Sequence, residues 1–212
     1  METFSPYLPG IFLAYTAVLL ALMSPGPNVL AIIGTSMGIG RREGIALAAG
    51  VGCGTFLWVS LTVIGFTAAI AAYAMVMVAL KILGGGYLLW LGYRALRSAA
   101  STRDVRTTVV ALDGRWRSYF LRGLSVQMTN PKAALAMLAI VSLGVHEGAP
   151  AWVGMAIVLG TTALSLCAHL LYAVTFSTRP MVVLYTKARR AIEALLGAFF
   201  CAMGIRLLTD RN

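Results

Sequence analysis

Hydrophobic residues run along this chain in six long segments, separated by short stretches where charged and turn-forming residues gather. No Asp, Glu, Lys or Arg occurs between residues 2 and 41, between 43 and 81, or between 147 and 179. Each of these gaps is longer than the roughly 20 residues that a helix needs to cross a bilayer. The pattern predicts six membrane-spanning helices, over 8–36, 44–66, 74–95, 120–143, 151–177 and 191–209.

The composition agrees with an integral membrane protein. Hydrophobic residues make up 59% of the chain and charged residues only 11%, whereas a soluble domain has about 25% charged residues. The connections between the predicted helices are too short for a separate soluble domain. Residues 1–212 are therefore predicted to form a single membrane domain.

Basic residues predict the orientation of the helices. With six helices, the connections 37–43, 96–119 and 178–190 lie on the same side of the membrane. These connections and the helix ends beside them contain 13 of the 17 Lys and Arg residues. An excess of Lys and Arg marks cytoplasmic connections, which predicts that both termini lie outside. Topology also accounts for the net charge of +10, so nucleic-acid binding is not predicted. The 13 residues are Arg41, Arg42, Arg94, Arg97, Arg103, Arg106, Arg115, Arg117, Arg122, Arg179, Lys187, Arg189 and Arg190.

The two halves of the chain share a pattern. Half 1, about 8–95, and half 2, about 120–209, flank a cytoplasmic linker at about 96–119, and each opens with a proline-interrupted helix. Each half continues with a helix rich in small residues. Because three crossings invert the second half relative to the first, the predicted fold is an all-α membrane protein of two inverted three-helix repeats.

The proline interruptions mark the candidate binding site. Proline lacks a backbone donor and frees a carbonyl one turn earlier, and in a bilayer such groups need partners from protein, water or a ligand. Interrupted helices at corresponding positions of two halves are the best sequence-level indication of a transport site. The predicted substrate-binding residues are Pro25, Gly26, Pro27, Asn28, Gln127, Asn130, Pro131 and Lys132.

These residues suit a zwitterion. Helix N-termini favour a carboxylate, the carbonyls freed by the prolines are predicted to accept an ammonium group, and Lys132 is the candidate partner for the carboxylate. A purely structural role remains open for each of these residues. In the alternative interpretation, the prolines only bend the helices. Asn28 and Asn130 then form hydrogen bonds between helices, and the long side chain of Lys132 reaches to the membrane surface.

Several ordered landmarks resemble the LysE/RhtB family of amino-acid exporters. They are the run Ser24 to Asn28, the turn 40–44, the stretch 80–93, Asn130-Pro131-Lys132, and the last helix ending Gly204-Ile205-Arg206-Leu207. The resemblance covers nearly the whole chain. It implies a multi-pass protein of the bacterial inner membrane that exports amino acids, driven by the proton gradient, as an antiporter. The family often carries an aspartate where this chain has Asn28.

His169 is the predicted proton-coupling residue. No Asp or Glu lies deep in a predicted helix, since Glu193 falls near the start of the sixth, and intramembrane carboxylates are common proton carriers. Histidine is the natural substitute because it titrates near neutral pH. Tyr172, one turn further along, is a candidate partner. The alternative is a neutral histidine that only links helices.

The sequence offers little support for other functions. Catalytic, nucleotide-binding and metal-ligand motifs are missing, so no enzyme, metal or cofactor is predicted, and transport must be secondary. Cys53, Cys167 and Cys201 stand singly in apolar segments, where buried small side chains are the default. A membrane thiol-redox relay or other membrane enzyme is the runner-up, and a passive facilitator is third. The small size of the chain is compatible with a homodimer, and the absence of deep acidic residues favours small or neutral amino acids as substrates.

Overall fold

The computed structural model describes residues 6–23, 26–72, 74–101, 112, 114–146 and 148–209. For residues 68–72, 74–81, 179, 181–186 and 189 it describes the backbone alone. Most of the predicted linker, 102–111 and 113, lies outside the described residues. Over the described part all regular structure is α-helical, in eight helices: α1 (Leu8–Met23), α2 (Pro27–Gly38), α3 (Arg41–Ala72), α4 (Ala74–Ala100), α5 (Trp116–Met128), α6 (Pro131–Gly144), α7 (Ala151–Thr175) and α8 (Arg179–Thr209).

The two predicted interruptions are confirmed. The first predicted helix is divided into α1 and α2, whose axes differ by 50°, and the fourth into α5 and α6. Pro27 and Pro131 are the first residues of the second segment in each case. Proline suits this position because its fixed φ is already helical and the first helical N–H has no partner within the helix. Proline thus starts a new helix here instead of only bending an existing one.

Three predicted helix boundaries are wrong. The last helix begins at Arg179 rather than at 191, α3 runs to Ala72 rather than to 66, and α4 runs to Ala100 rather than to 95. The charged residues of the stretch 178–190 favour a connection by sequence alone. Its Lys, Arg and Ala residues are nevertheless strong helix formers, and the helix simply continues beyond its apolar part. As a result Glu193 lies well inside α8.

The helices are consistent with a membrane protein. Among the described residues, the segments Arg41–Thr67, Ala151–Thr175 and Arg190–Thr209 are each long and apolar enough to cross a bilayer, and the bent pair α1–α2 makes a fourth candidate. α6, with 14 residues, is shorter. The count of six spans stays a prediction.

The outer surface of the bundle is apolar. Phe12, Ile64, Leu171 and Leu195 are each more than 60% exposed, on four different helices. Soluble monomers rarely present so much apolar surface, whereas a surface of this kind is what lipid chains contact. The largest buried cluster lies between α1, α6, α7, α8 and the later parts of α3 and α4.

Glycines let α3 and α5 approach closely. A Cβ atom added to Gly50 would overlap the carbonyl oxygen of Phe120, and one added to Gly123 would overlap the carbonyl oxygen of Leu47. Small residues commonly allow membrane helices to pack backbone against backbone in this way. Gly50 and Gly123 thus allow close packing of the two helices that carry Thr55 and Gln127.

Candidate functional site

The two helix breaks lie next to each other. A Cβ atom built on Gly26, at the first break, would lie 3.7 Å from the Nζ atom of Lys132, which follows the second break. Asn130 caps the start of α6, where its side-chain oxygen accepts the backbone N–H of Lys132 at 3.0 Å. Capping by asparagine satisfies one of the donors that a helix N-terminus leaves without an intrahelical partner. The amine of Lys132 therefore lies among the broken helix ends.

Five polar side chains from four helices form a closed ring beside these breaks. Asn28 Nδ2 lies 3.0 Å from Gln127 Oε1 and 3.3 Å from His169 Nε2. Gln127 Nε2 donates to Thr55 Oγ1 at 3.0 Å. Thr55 Oγ1 lies 3.0 Å from Ser165 Oγ, which lies 3.1 Å from His169 Nδ1. We call these five residues the polar ring; it joins α2, α3, α5 and α7.

The donor and acceptor roles around the polar ring can be assigned by elimination. His169 Nδ1 lies 2.7 Å from the carbonyl oxygen of Ser165, which can only accept, so Nδ1 carries the hydrogen. In a neutral imidazole the other nitrogen is then an acceptor, which matches the amide donor of Asn28 facing Nε2. Thr55 donates to the carbonyl of Val51 at 3.1 Å and so accepts from both Gln127 and Ser165. Every hydrogen bond of the ring is consistent with a neutral His169.

The expectation that proline-freed carbonyls would accept an ammonium group is wrong for α5. Pro131 frees the carbonyl of Gln127, but the indole N–H of Trp58 donates to that oxygen at 3.1 Å, and the backbone N–H of Asn130 does so at 3.3 Å. Near the first break, the hydroxyl of Tyr172 donates to the carbonyl of Leu22 at 3.1 Å. Tyr172 is thus a partner of the break rather than of His169.

A cavity of about 50 Å³ lies against the polar ring, and we call it the ring cavity. All five ring residues line it, together with Asn130 and Lys132. The remaining lining side chains are small or apolar, apart from Thr161. By the volume that a water molecule needs, the cavity has room for roughly three to five water-sized groups.

A second cavity, of about 260 Å³, shares the lining residues Asn130 and Lys132 with the ring cavity, and we call it the charged cavity. Arg94, Lys132 and Glu193 line it, as do Pro27 and Pro131. Glu193 is only 2% exposed. The helix α8 starts twelve residues earlier than predicted, so Glu193 lies near its middle, yet it stays within one turn of the start of the apolar span Arg190–Thr209.

The structure brings most of the predicted site residues together. The two cavities are lined by the predicted residues Gly26, Pro27, Asn28, Gln127, Asn130, Pro131, Lys132 and His169. Pro25 lies outside the described residues. Sequence reasoning missed Thr55, Ser165, Arg94 and Glu193. Ser165 lies one turn before His169 on the same helix face and could have been found; Thr55 carries no comparable signal.

The cysteines do not take part in either cavity. Cys53 and Cys167 are exposed and Cys201 is partly exposed, so the expectation of buried side chains is wrong for the first two. Both lie on the outward faces of α3 and α7, because the inward faces carry the ring residues Thr55, Ser165 and His169. Thiols on the outward faces cannot react with groups in the ring cavity.

The hydrogen bonds of Thr55 should stabilise the bundle. Thr55→Val keeps the size of the side chain but removes the oxygen that accepts from Gln127 and Ser165. Since buried donors without acceptors cost about 1–3 kcal/mol, we expect unfolding in detergent to become easier by about that free energy. Thr67→Val is the matched control, because the Thr67 hydroxyl is exposed and donates to the carbonyl of Val63 in its own helix. Equal effects of the two substitutions would contradict the ring.

Comparison with known proteins gives one consistent family. The model of the LysE type translocator family matches residues 18–211. The chain is 31% identical over 208 residues to the threonine efflux protein of Escherichia coli K12, covering 95% of this chain and 98% of that protein. It is 27% identical over 196 residues to the leucine efflux protein of Klebsiella pneumoniae, covering 89% of each, and 25% identical over 203 residues to the uncharacterized membrane protein YahN of Escherichia coli K12, covering 96% and 91%. No solved structure matches.

Proposed function

Because this chain belongs to the LysE type translocator family, we propose that it is a secondary exporter of small or neutral amino acids in the bacterial inner membrane. The family consists of translocators, so the chain is a transporter and not an enzyme. The bacterial relatives named for threonine and leucine efflux support an amino-acid substrate. The observation that carries the proposal is the polar ring, which lies at two facing helix breaks inside an apolar bundle.

The ring cavity offers partners for both charged groups of an amino acid. The amine of Lys132 is the cation for the carboxylate, aided by the positive N-terminal ends of α2 and α6. His169 Nε2 and Gln127 Oε1 are the acceptors that face Asn28, and both are suited to an ammonium group that displaces the Asn28 amide. In this arrangement Asn28 holds the empty ring closed and moves aside for substrate.

Proton coupling follows from competition for one lone pair. A proton and a substrate ammonium group both bind His169 at Nε2, since Nδ1 already donates to Ser165. They therefore exclude each other, which is the requirement for antiport of protons against amino acids. Lys132, which lines the same cavity, adds a second positive charge that disfavours simultaneous occupation.

The ring cavity favours neutral substrates. Its lining contains Lys132 but, among the described residues, no carboxylate. A second positive charge on a dibasic amino acid would have no counter-ion there and would be costly to bury. The cavity must widen by movement of Asn28 to take a whole amino acid, and its small starting volume favours short side chains.

The proposed topology has six spans with both termini outside. The order of a broken pair followed by two long helices occurs twice, as α1–α2, α3, α4 and as α5–α6, α7, α8. This order supports two inverted repeats, about 8–95 and about 120–209, joined by a cytoplasmic linker at about 96–119. A homodimer is part of the proposal as the working unit, since a chain of 212 residues is small for a complete transport bundle.

Efflux from liposomes tests the function. Purified protein is reconstituted in vesicles loaded with a mixture of amino acids, the outside is acidified, and the released solutes are identified. We expect selective release of neutral amino acids, accelerated by the inward proton gradient. His169→Gln should retain downhill release but lose the acceleration, because glutamine cannot exchange a proton.

Three other outcomes would revise the proposal. Release that ignores the gradient in the wild type would indicate a facilitator and remove His169 from a coupling role. Acceleration that persists in His169→Gln would place the coupling group elsewhere. An absence of amino-acid release under every condition would contradict the proposed substrate class.

A further inference from the structure

The charged side chains that line the charged cavity include two cations and one carboxylate. Arg94 and Lys132 face a single carboxylate, Glu193, and Lys132 interacts electrostatically with both of the others. Pro27 and Pro131 place the N-terminal ends of α2 and α6 at the same wall, and helix N-termini add positive partial charge. Two cations and two helix ends against one carboxylate leave room for an additional anionic group.

The positions of the charged groups are fixed by packing. The guanidinium carbon of Arg94 lies 4.9 Å from the ring centroid of Trp90, a cation–π contact that limits the movement of an otherwise exposed side chain. Glu193 is almost fully buried. The hydroxyl of Tyr87 donates to the carbonyl of Lys132 at 2.8 Å and ties α4 to the start of α6.

The size of the charged cavity matches a whole amino acid, whereas that of the ring cavity does not. The ring cavity, at about 50 Å³, holds fewer water-sized groups than threonine has non-hydrogen atoms. The charged cavity, at about 260 Å³, is close to the lower end of small-molecule sites. In this conformation, of the two cavities, only the charged cavity has room for a whole amino acid.

We infer that the charged cavity is a second amino-acid site, in which a substrate is held before it reaches the polar ring. This inference rests on the proposed export function. Arg94 binds the carboxylate, Glu193 binds the ammonium group, and Trp90, Leu91 and Leu135 contact the side chain. These apolar contacts match the side chain of a neutral amino acid.

Lys132 connects the two sites. It lines both cavities and its amine lies beside Gly26 at the first break. A carboxylate bound between Arg94 and Lys132 can pass to the ring cavity without releasing Lys132. Arg94 lies near the end of α4, where the positive-inside rule predicts the cytoplasm, so the second site faces the side from which an exporter takes its substrate.

Binding of matched analogues to purified protein tests the second site. We would measure calorimetrically the affinities of L-threonine and L-leucine, of their methyl esters, which lack the negative charge, and of their N-acetyl derivatives, which lack the positive charge. We expect the wild type to bind the free amino acids on the order of tenfold to a hundredfold more tightly than either derivative, since each derivative loses one charged hydrogen-bonded partner.

Two variants assign each preference to a residue. Arg94→Gln should reduce the preference for the free amino acid over its methyl ester, since Lys132 remains as a partner, and Glu193→Gln should remove the preference over its N-acetyl derivative. A folding defect would weaken all ligands equally rather than one comparison selectively. The controls are Arg97→Gln, close to Arg94 on α4 but outside the cavity lining, and Glu43→Gln, at the start of α3. Both should leave the two preferences unchanged.

The outcomes separate this inference from the proposed function. Wild-type export with unchanged preferences in Arg94→Gln and Glu193→Gln would overturn the second site alone. A wild type that neither binds nor exports amino acids would overturn both. Because Arg94 is exposed, its variant is expected to fold even where Glu193→Gln does not, and the analogue series on the wild type needs no variant.

Discussion

Lys132→Gln should reduce amino-acid efflux by about a hundredfold or more. Lys132 is the one described residue with a charged side chain that lines both cavities, and its amine lies where the two broken helices meet. Hydrogen bonds to charged groups contribute about 1.5–3 kcal/mol each. Loss of the carboxylate partner at two successive sites should therefore weaken both substrate binding and transfer, and vesicle efflux at saturating and subsaturating substrate would measure each.

Lys187→Gln is the control for the loss of a positive charge. Lys187 is exposed on α8, away from the residues that line either cavity, and its substitution should leave efflux within a factor of about two. Efflux that remains at the wild-type rate in Lys132→Gln would favour the snorkelling interpretation of this lysine. It would also remove the proposed link between the two cavities.

Gly123→Ala should destabilise the folded protein strongly, although it adds only one methyl group. The new Cβ atom would overlap the carbonyl oxygen of Leu47, so α3 and α5 must separate. Overpacking of this kind costs about 1–3 kcal/mol or more. Gln127 and Thr55 lie on the same two helices, and Gln127 Nε2 donates a hydrogen bond to Thr55 Oγ1 at 3.0 Å. Thermal unfolding in detergent should therefore shift downward, together with a loss of efflux.

Gly86→Ala provides a control with the opposite sign. Gly86 also lies within a helix, but a Cβ atom there would meet no atom within 4 Å. Alanine is favoured over glycine in a helix by about 0.5–1 kcal/mol, so this variant should be as stable as the wild type or slightly more so. Similar losses in both variants would show that backbone flexibility, and not the close helix contact, makes Gly123 necessary.

The sequence predicted the features that depend on local chemistry. The helix breaks at Pro27 and Pro131 follow from a missing N–H and a fixed φ, which proline has in any fold. The long apolar helices follow from the thickness of a bilayer. Asn28, Asn130 and Lys132 were recognised as candidates because polar groups next to such breaks need partners in an apolar surrounding.

Tertiary packing alone decided which groups meet. The ring partners of Asn28 come from residues 99 and 141 positions away along the chain, so their distances depend on how α2, α5 and α7 are rotated and how closely they pack. The same rotation places Cys53 on the outer surface and Thr55, two residues later, in the ring. Trp58, which donates a hydrogen bond to the carbonyl that Pro131 frees, is likewise positioned by the approach of α3 to α5.

Glu193 is buried because α8 extends beyond its apolar part and packs along α4. Hydrophobic patterning determines which segments enter a membrane, but a hydrogen bond forms only at about 3 Å, and that precision comes from the close contacts between helices.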